Sequence, residues 1–310
     1  MPLPRRLLSS SRPRPRPGPA RLVVAVSAAY PDLRPDWPLL RTALRDLDVE
    51  ATTAVWTDLH TPWHQFDLIV ANGAWDNIHR PHEFLRWTEA VSRVTRLVNS
   101  SAMLRWNLDK RYLADLSDQG VATVPTTWLA PDGTTDVVLP ADEFVVKPTI
   151  SGGGFETARY RPEESEAARA HIRRLLSAGR AVMIQPYQAA VDAQGETGLV
   201  FLGGRYSHAI SKGPLLRVGA GPQHHLWADE QIGAVAPTGP ERHAAAAALA
   251  AAQNLHGPTA YARVDLIAGA TGTPLVLELE LLDPALFFET DPPAAARFAS
   301  VLAGLCARSR

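Results

Sequence analysis

Buried-strand runs and helical spacing alternate along the first hundred residues. Residues 21–27 form a β-branched run ending in small side chains, the pattern of a parallel strand covered on both faces. Residues 39–47 have helical spacing, 67–71 read as a second strand, about 82–93 as a helix and 97–98 as a short third strand. That succession predicts a β-α-β-α-β unit, with any ligand near the strand C-termini, in the loops 27–36 and 72–80. From Asn107 the pattern changes. Asn107 is expected to cap a helix running through Lys110, Tyr112 and Leu116 to a stop at Gly120. A strand over 143–148 then ends on Lys147-Pro148, followed by a small-residue loop (149–155), a helix (162–178) and a strand (181–187). Residues 198–202 and 205–211, separated by Gly203-Gly204, read as a hairpin. An Ala-rich helix over about 239–253 leads to two strands, 260–267 and 274–281, whose small Gly-bearing connector predicts antiparallel pairing. No internal repeat is present.

Composition narrows the class. With 310 residues, 46% hydrophobic, and eight Trp, eight Phe and six Tyr, the chain has enough apolar surface for two or three packed units, so whole-chain disorder is excluded. A net charge of -1 argues against a general nucleic-acid binder. The single cysteine, Cys306, rules out an internal disulfide framework and a Cys-based metal site, and the expected compartment is the cytoplasm. Residues 1–20 are rich in Arg and Pro and predict an extended arm; the pair Arg5-Arg6 is not followed by the apolar block of an export signal. No apolar run is long enough to span a bilayer. The expected partner is therefore a small molecule, with neither nucleic acid nor membrane.

The candidate chemistry begins with the lysines. Of 31 basic side chains only Lys110, Lys147 and Lys212 are not arginine, and a compact ammonium suits a narrow phosphate site. After Lys147, the loop Ser151-Gly152-Gly153-Gly154 allows backbone N–H groups to approach a ligand; a plain mobile turn is the alternative. On the last two strands, Arg263 and Asp265 share one face, as do Glu278 and Glu280, with apolar Val264 and Leu279 between them. Three like-charged carboxylates on one face require cations, and hard oxygen donors suit Mg²⁺; the alternative is the solvent-facing side of an edge hairpin. Signatures for a phosphate-loop NTPase, a serine hydrolase and a zincin are absent.

Taken in order, Asn107-Leu108-Asp109-Lys110, Val145-Val146-Lys147-Pro148, Ser151–Gly154, Gln185-Pro186-Tyr187, Arg263-Val264-Asp265 and Glu278-Leu279-Glu280 resemble the ATP-grasp superfamily, in its glutathione-synthetase-like branch. Within that branch, Tyr30-Pro31-Asp32-Leu33, Trp75-Asp76, residues 105–110 and 201–212 are similar to the actinobacterial O-ureido-D-serine cyclo-ligases of D-cycloserine synthesis. The resemblance implies an α/β fold, α+β in its C-terminal half, divided into an arm (1–20), an N-terminal pre-ATP-grasp domain (21–105), a central lid subdomain (106–184) and a C-terminal ATP-grasp subdomain (185–310). It implies that Lys110 and Lys147 contact the phosphates of ATP under the loop Ser151, Gly152, Gly153 and Gly154. Gln185, Pro186 and Tyr187 would then bracket the adenine. Asp265, Glu278 and Glu280 would hold Mg²⁺, with Mn²⁺ as the alternative ion, and Arg263 would steady the transferred phosphoryl group. Glutathione synthetase typically has Asn where this chain has Glu280, and keeps a basic residue near Glu196 and Thr197, a place that Lys212 or Arg205 would fill. Trp75, Asp76, Arg80 and His208 are the candidates for the amino-acid end of the substrate. The implied reaction is ATP-dependent activation of a carboxylate as an acyl phosphate, then ring closure by a nitrogen of the same molecule. An intermolecular ligase of the glutathione-synthetase or RimK kind, and a nucleotide-binding protein without turnover, are the competing readings. Related enzymes commonly pair, which leaves a homodimer open.

Overall fold

Four parallel strands, one more than the sequence pattern suggests, begin the computed structural model, which describes residues 18–32, 36–133, 136–217, 219–224 and 231–308. The arm expected over 1–20 lies outside the described residues except for its last three. Strands β1 (Ala20–Val26), β2 (Val49–Val55), β3 (Leu68–Val70) and β4 (Arg96–Val98) run in the spatial order β2-β1-β3-β4, with α1 (Asp36–Arg45) and α2 (Pro81–Ser92) as crossovers. The additional strand, β2, is an edge: its Glu50, Thr52 and Thr53 give it no continuous apolar run, unlike the fully buried stretch Leu22–Val26.

Two short helices, α3 (Ser101–Asn107) and α4 (Tyr112–Asp118), replace the single helix expected from Asn107. Ser100 is the cap of α3, its hydroxyl accepting from the Met103 N–H, and Asn107 ends that helix. The second sheet, antiparallel in the order β5-β8-β6-β7, is built from β5 (Thr127–Leu129), β6 (Phe144–Pro148), β7 (Ala158–Tyr160) and β8 (Val182–Pro186), covered by α5 (Ser165–Ser177). The subdomain boundary expected between residues 184 and 185 thus falls inside β8.

After the short helix α6 (Val191–Gln194), the third sheet comprises β9 (Glu196–Leu202), β10 (Arg205–Lys212), β11 (Ile232–Ala234), β12 (Tyr261–Ala268) and β13 (Pro274–Glu280) in the order β11-β10-β9-β12-β13. Helix α7 (Gly239–His256) starts with a capping box between Thr238 and Glu241 and packs its alanine face on this sheet. The last helix, α8 (Pro293–Ala307), returns to the first sheet, where Phe298 and Leu302 join Leu22, Val24, Leu40 and Leu44 in one core. Among the described residues no helix is long and apolar enough to cross a membrane.

β13 is an edge strand, yet it is not left to solvent. The Asn107 amide donates to the Leu279 carbonyl and accepts from the Leu281 N–H, both at 2.7 Å, and the Leu279 N–H donates to the Tyr112 hydroxyl at 2.9 Å. Asn99 ties the same region to β4 through the carbonyls of Tyr261 and Leu281 and the Ala260 N–H. These side chains satisfy backbone groups that an open edge would expose, and they fix β13 against α3 and α4.

Candidate functional site

Strand register brings the four charged residues of β12 and β13 together. Arg263 pairs with Glu280 across the ladder and Asp265 with Glu278, so the i, i+2 positions of the two strands project on one face. Carboxylate oxygens of Asp265, Glu278 and Glu280 all lie within 4.8 Å of one another, close enough to share one ion. Asp265 is the deepest, 1% exposed. Its Oδ1 accepts from Arg263 Nε at 2.8 Å; its Oδ2 accepts from Arg263 Nη2 at 3.0 Å and from Lys212 Nζ at 2.7 Å. Burial would raise the Asp265 carboxyl, but Arg263 and Lys212 outweigh it and hold the group down at about 2. Space for this carboxylate exists because its neighbour on β9 is Gly198, where a Cβ would come within 2.8 Å of Asp265 Oδ1. Gly198→Ala should displace the carboxylate and weaken binding of magnesium nucleotide at least about tenfold in a calorimetric titration; unchanged affinity would show that the Asp265 position is not critical.

The three lysines converge on the same place from three elements. Lys110, in the turn between α3 and α4, is 6% exposed and pairs with Glu278 Oε1 at 2.9 Å. Its ammonium also donates to the Ser151 carbonyl, and its N–H donates to the Thr149 carbonyl, which draws the glycine loop towards it. Gly153 and Gly154 adopt φ of 56° and 76°, the left-handed region that side-chain-bearing residues avoid. Lys147, at the end of β6, is 9% exposed; burial pulls its ammonium down to about 8, against the opposing field of Glu278. Lys212 ends β10 opposite Glu196, with which it forms an ion pair at 3.3 Å. Burial opposes its charge, but Asp265 and Glu196 override that and raise its pKa. Between Lys212 and Arg205, the structure places only Lys212 here; Arg205 sits exposed at the other end of β10.

These groups line a cavity of about 230 Å³ between the second and third sheets. Val145, Ile267, Leu277 and Leu279 supply apolar walls, the loop Ser151–Gly154 covers one side, and Gln185, Pro186 and Tyr187 form another. The Gln185 side chain is already engaged, donating to Thr126 Oγ1 at 2.9 Å. The Tyr187 ring carries the Arg159 guanidinium 3.5 Å from its centroid, and its hydroxyl donates to Asp192 at 2.6 Å.

At the N-terminal end the cavity meets a short 3-10 helix, Trp75–His79. Trp75 reaches the wall, but Asp76 and Arg80 do not: Asp76 accepts from Trp56 Nε1 at 2.6 Å, and Arg80 pairs with Glu83 at 2.7 Å beside the Trp56 ring. Both hold the first domain together. His208 is also outside the cavity; its ring nitrogens are bonded to the Ser207 hydroxyl and the Leu286 carbonyl, a buried structural role. Sequence reasoning missed Asn77, Glu196, Asp283 and Phe287, all on the wall. Desolvation pushes the Asp283 carboxyl up to about 7, against the Asn77 hydrogen bond and Lys110, and pushes Glu280 to about 8 despite Arg263. Asp283 stands three residues past Glu280 in the same acidic run, the one signal that pointed to it.

Three groups of similarity follow the same lines. Residues 22–99 match a family model described as the N-terminal domain of the D-cycloserine synthetase DcsG. The cycloserine biosynthesis protein DcsG of Streptomyces lavendulae is 40% identical over 279 residues, covering 86% of this chain and 93% of that protein. A crystal structure of D-cycloserine synthetase DcsG superposes with a TM-score of 0.85 at 38% identity, covering 94% of this chain and all of that one. The RimK domain ATP-grasp protein of Sphaerobacter thermophilus shares the fold at 18% identity, with a TM-score of 0.60 over 92% of this chain and 99% of its own.

Proposed function

The chain belongs to the D-cycloserine synthetase family and has the fold of the ATP-grasp ligases, and from that premise we propose that it activates the carboxylate of an O-ureido-serine-like amino acid with ATP and closes it to a cycloserine ring. The observation that carries this reading is the joint placement of Lys110, Lys147, Lys212 and Arg263 in one cavity with Glu278 and Glu280, whose carboxylates cluster with that of Asp265 behind them.

The residues fit the group that the reading requires. Closely spaced carboxylate oxygens are the hard donors that Mg²⁺ prefers, and Glu278 and Glu280 face the cavity while Asp265 backs them. A divalent ion held there would neutralise charge on the phosphate oxygens during transfer. Lys110 and Lys147 would bind the triphosphate, and the N–H groups of Ser151–Gly154 would close over it. Arg263, already fixed by Asp265 and Glu280, is oriented to stabilise charge on the transferred group. Phosphoryl transfer of this kind needs placed cations rather than an acid–base pair. Transfer to the substrate carboxylate yields an acyl phosphate and ADP; the oxygen-linked nitrogen of the ureido group then attacks the carbonyl carbon, phosphate leaves, and one water releases the carbamoyl group from that nitrogen as carbon dioxide and ammonia. Holding both ends of one molecule makes the second step intramolecular, worth at best about 7 kcal/mol. The covered cavity protects the acyl phosphate from water.

The test is release of ADP and phosphate with O-ureido-D-serine as the sole amino acid. Turnover with that compound alone is expected. Turnover only when a second amine is added would instead mark an intermolecular ligase, and ATP binding without any release across a panel of D- and L-amino acids would mark a binding protein.

A further inference from the structure

Asp283 lines the cavity and, among the described residues, forms no ion pair, with Lys110 and Arg263 acting on it only at longer range. Glu196 and Asp265 pair with Lys212, Glu278 with Lys110 and Glu280 with Arg263. Asp283 lines the same cavity, yet among the described residues no lysine, arginine or histidine forms an ion pair with it. Its Oδ2 accepts a 2.6 Å hydrogen bond from Asn77 Nδ2, while Oδ1 accepts from no donor among the described residues. Asp283 is half-buried, and a carboxylate partly withdrawn from water with one oxygen unbonded is suited to a cation that arrives with the ligand.

The carboxylate is also held in place. Asn77 Nδ2 donates to the Ala74 carbonyl as well, at 2.8 Å, and Trp75 Nε1 donates to the Asp283 backbone carbonyl at 2.9 Å. Two residues on, the Ala285 carbonyl accepts from Arg263 Nη1 at 2.8 Å. One short connector therefore carries both the Asp283 carboxylate and the carbonyl that holds the Arg263 guanidinium. An α-amino acid carries its ammonium and carboxylate on one carbon, so its ammonium can meet this carboxylate while its own carboxylate meets the cationic side of the cavity.

We infer that Asp283, steadied by Asn77 and Trp75, binds the α-ammonium of the amino-acid substrate and so selects an α-amino acid over an acid lacking that group. This rests on the reading of the cavity as a carboxylate-activating site. The positioning by Asn77 explains why the N-terminal domain must close one end of the cavity: it supplies the donor that aims the carboxylate.

The experiment compares wild-type protein and Asp283→Asn, each loaded with magnesium ADP, in calorimetric titrations with O-ureido-D-serine and with its analogue lacking the α-amino group, 3-(ureidooxy)propanoate. Asp283→Asn should weaken binding of the amino acid at least about thirtyfold, leave the analogue within about twofold, and leave the heat of magnesium ADP binding unchanged. Wild-type protein that binds both compounds equally, or a variant that weakens both by the same factor, overturns the inference and makes Asp283 a structural residue. Absence of any heat with magnesium ADP in the wild type overturns the nucleotide reading and this inference with it; heat with the nucleotide but no difference between the two acids sinks the inference alone.

Discussion

Glu278→Ala is expected to lower kcat/KM for ATP-dependent turnover at least about a hundredfold, equivalent to about 2.7 kcal/mol of transition-state stabilisation. The side chain has two tasks. It offers an oxygen to the ion cluster with Asp265 and Glu280, and it holds the Lys110 ammonium at 2.9 Å. Lys110 in turn donates to the Ser151 carbonyl, so loss of Glu278 frees both the cation and the start of the glycine loop. The field of Glu278 also opposes the desolvation of Lys147. One truncation therefore disturbs the carboxylate cluster, Lys110, Lys147 and the glycine loop. The backbone of β13 is held independently by Asn107 and Tyr112, so the melting transition should remain cooperative and close to that of the wild type. Steady-state kinetics with circular dichroism as a folding control decide it; near-wild-type turnover would remove Glu278 from the site.

Lys147→Met should cost at least about a hundredfold in kcat/KM as well, while stability at pH 7 holds or rises. Met keeps the unbranched stem in its buried slot and deletes the charge. Burial lowers the folded-state pKa of Lys147 from 10.5 to about 8, so the charged amine disfavours folding. The penalty is absent above pH 10.5, grows as pH falls from 10.5 to 8, and is full below about 8. A side chain that destabilises the fold at neutral pH at the end of a central strand would have that cost offset by an anionic ligand. Urea unfolding at pH 7 together with kinetics separates the two effects: loss of stability with intact turnover would make Lys147 a packing residue.

Which parts of this architecture could be read from the chain follows from where the information lies. β1 and β3 are buried on both faces and announce themselves as continuous apolar runs; β2 at the sheet edge is interrupted by Glu50, Thr52 and Thr53, and β5 and β7 span three residues each. The acidic cluster was legible in part, because i, i+2 spacing on two strands with a short connector suggests a shared face; the irregularity between Asp265 and Leu266 that aligns Arg263 with Glu280 and Asp265 with Glu278 was not. The roles of Asn107, Asn77 and His208 were not legible locally. Asn107 looks like a helix cap in its own segment, but its partners are the backbone of β13, more than 170 positions away. Asn77 meets Asp283 across 206 positions, and His208 meets the Leu286 carbonyl across 78. Polar side chains that stitch distant elements together carry no periodicity of their own, so only the folded chain shows them.

The proposed function requires a magnesium triphosphate held by these carboxylates and lysines. Isothermal titration of the wild-type protein with ATP, in the presence and absence of Mg²⁺, tests it most directly. Saturable heat with one nucleotide per chain is predicted with Mg²⁺, at least about tenfold weaker once the ion is chelated. No heat, or identical titrations with and without the ion, would contradict it.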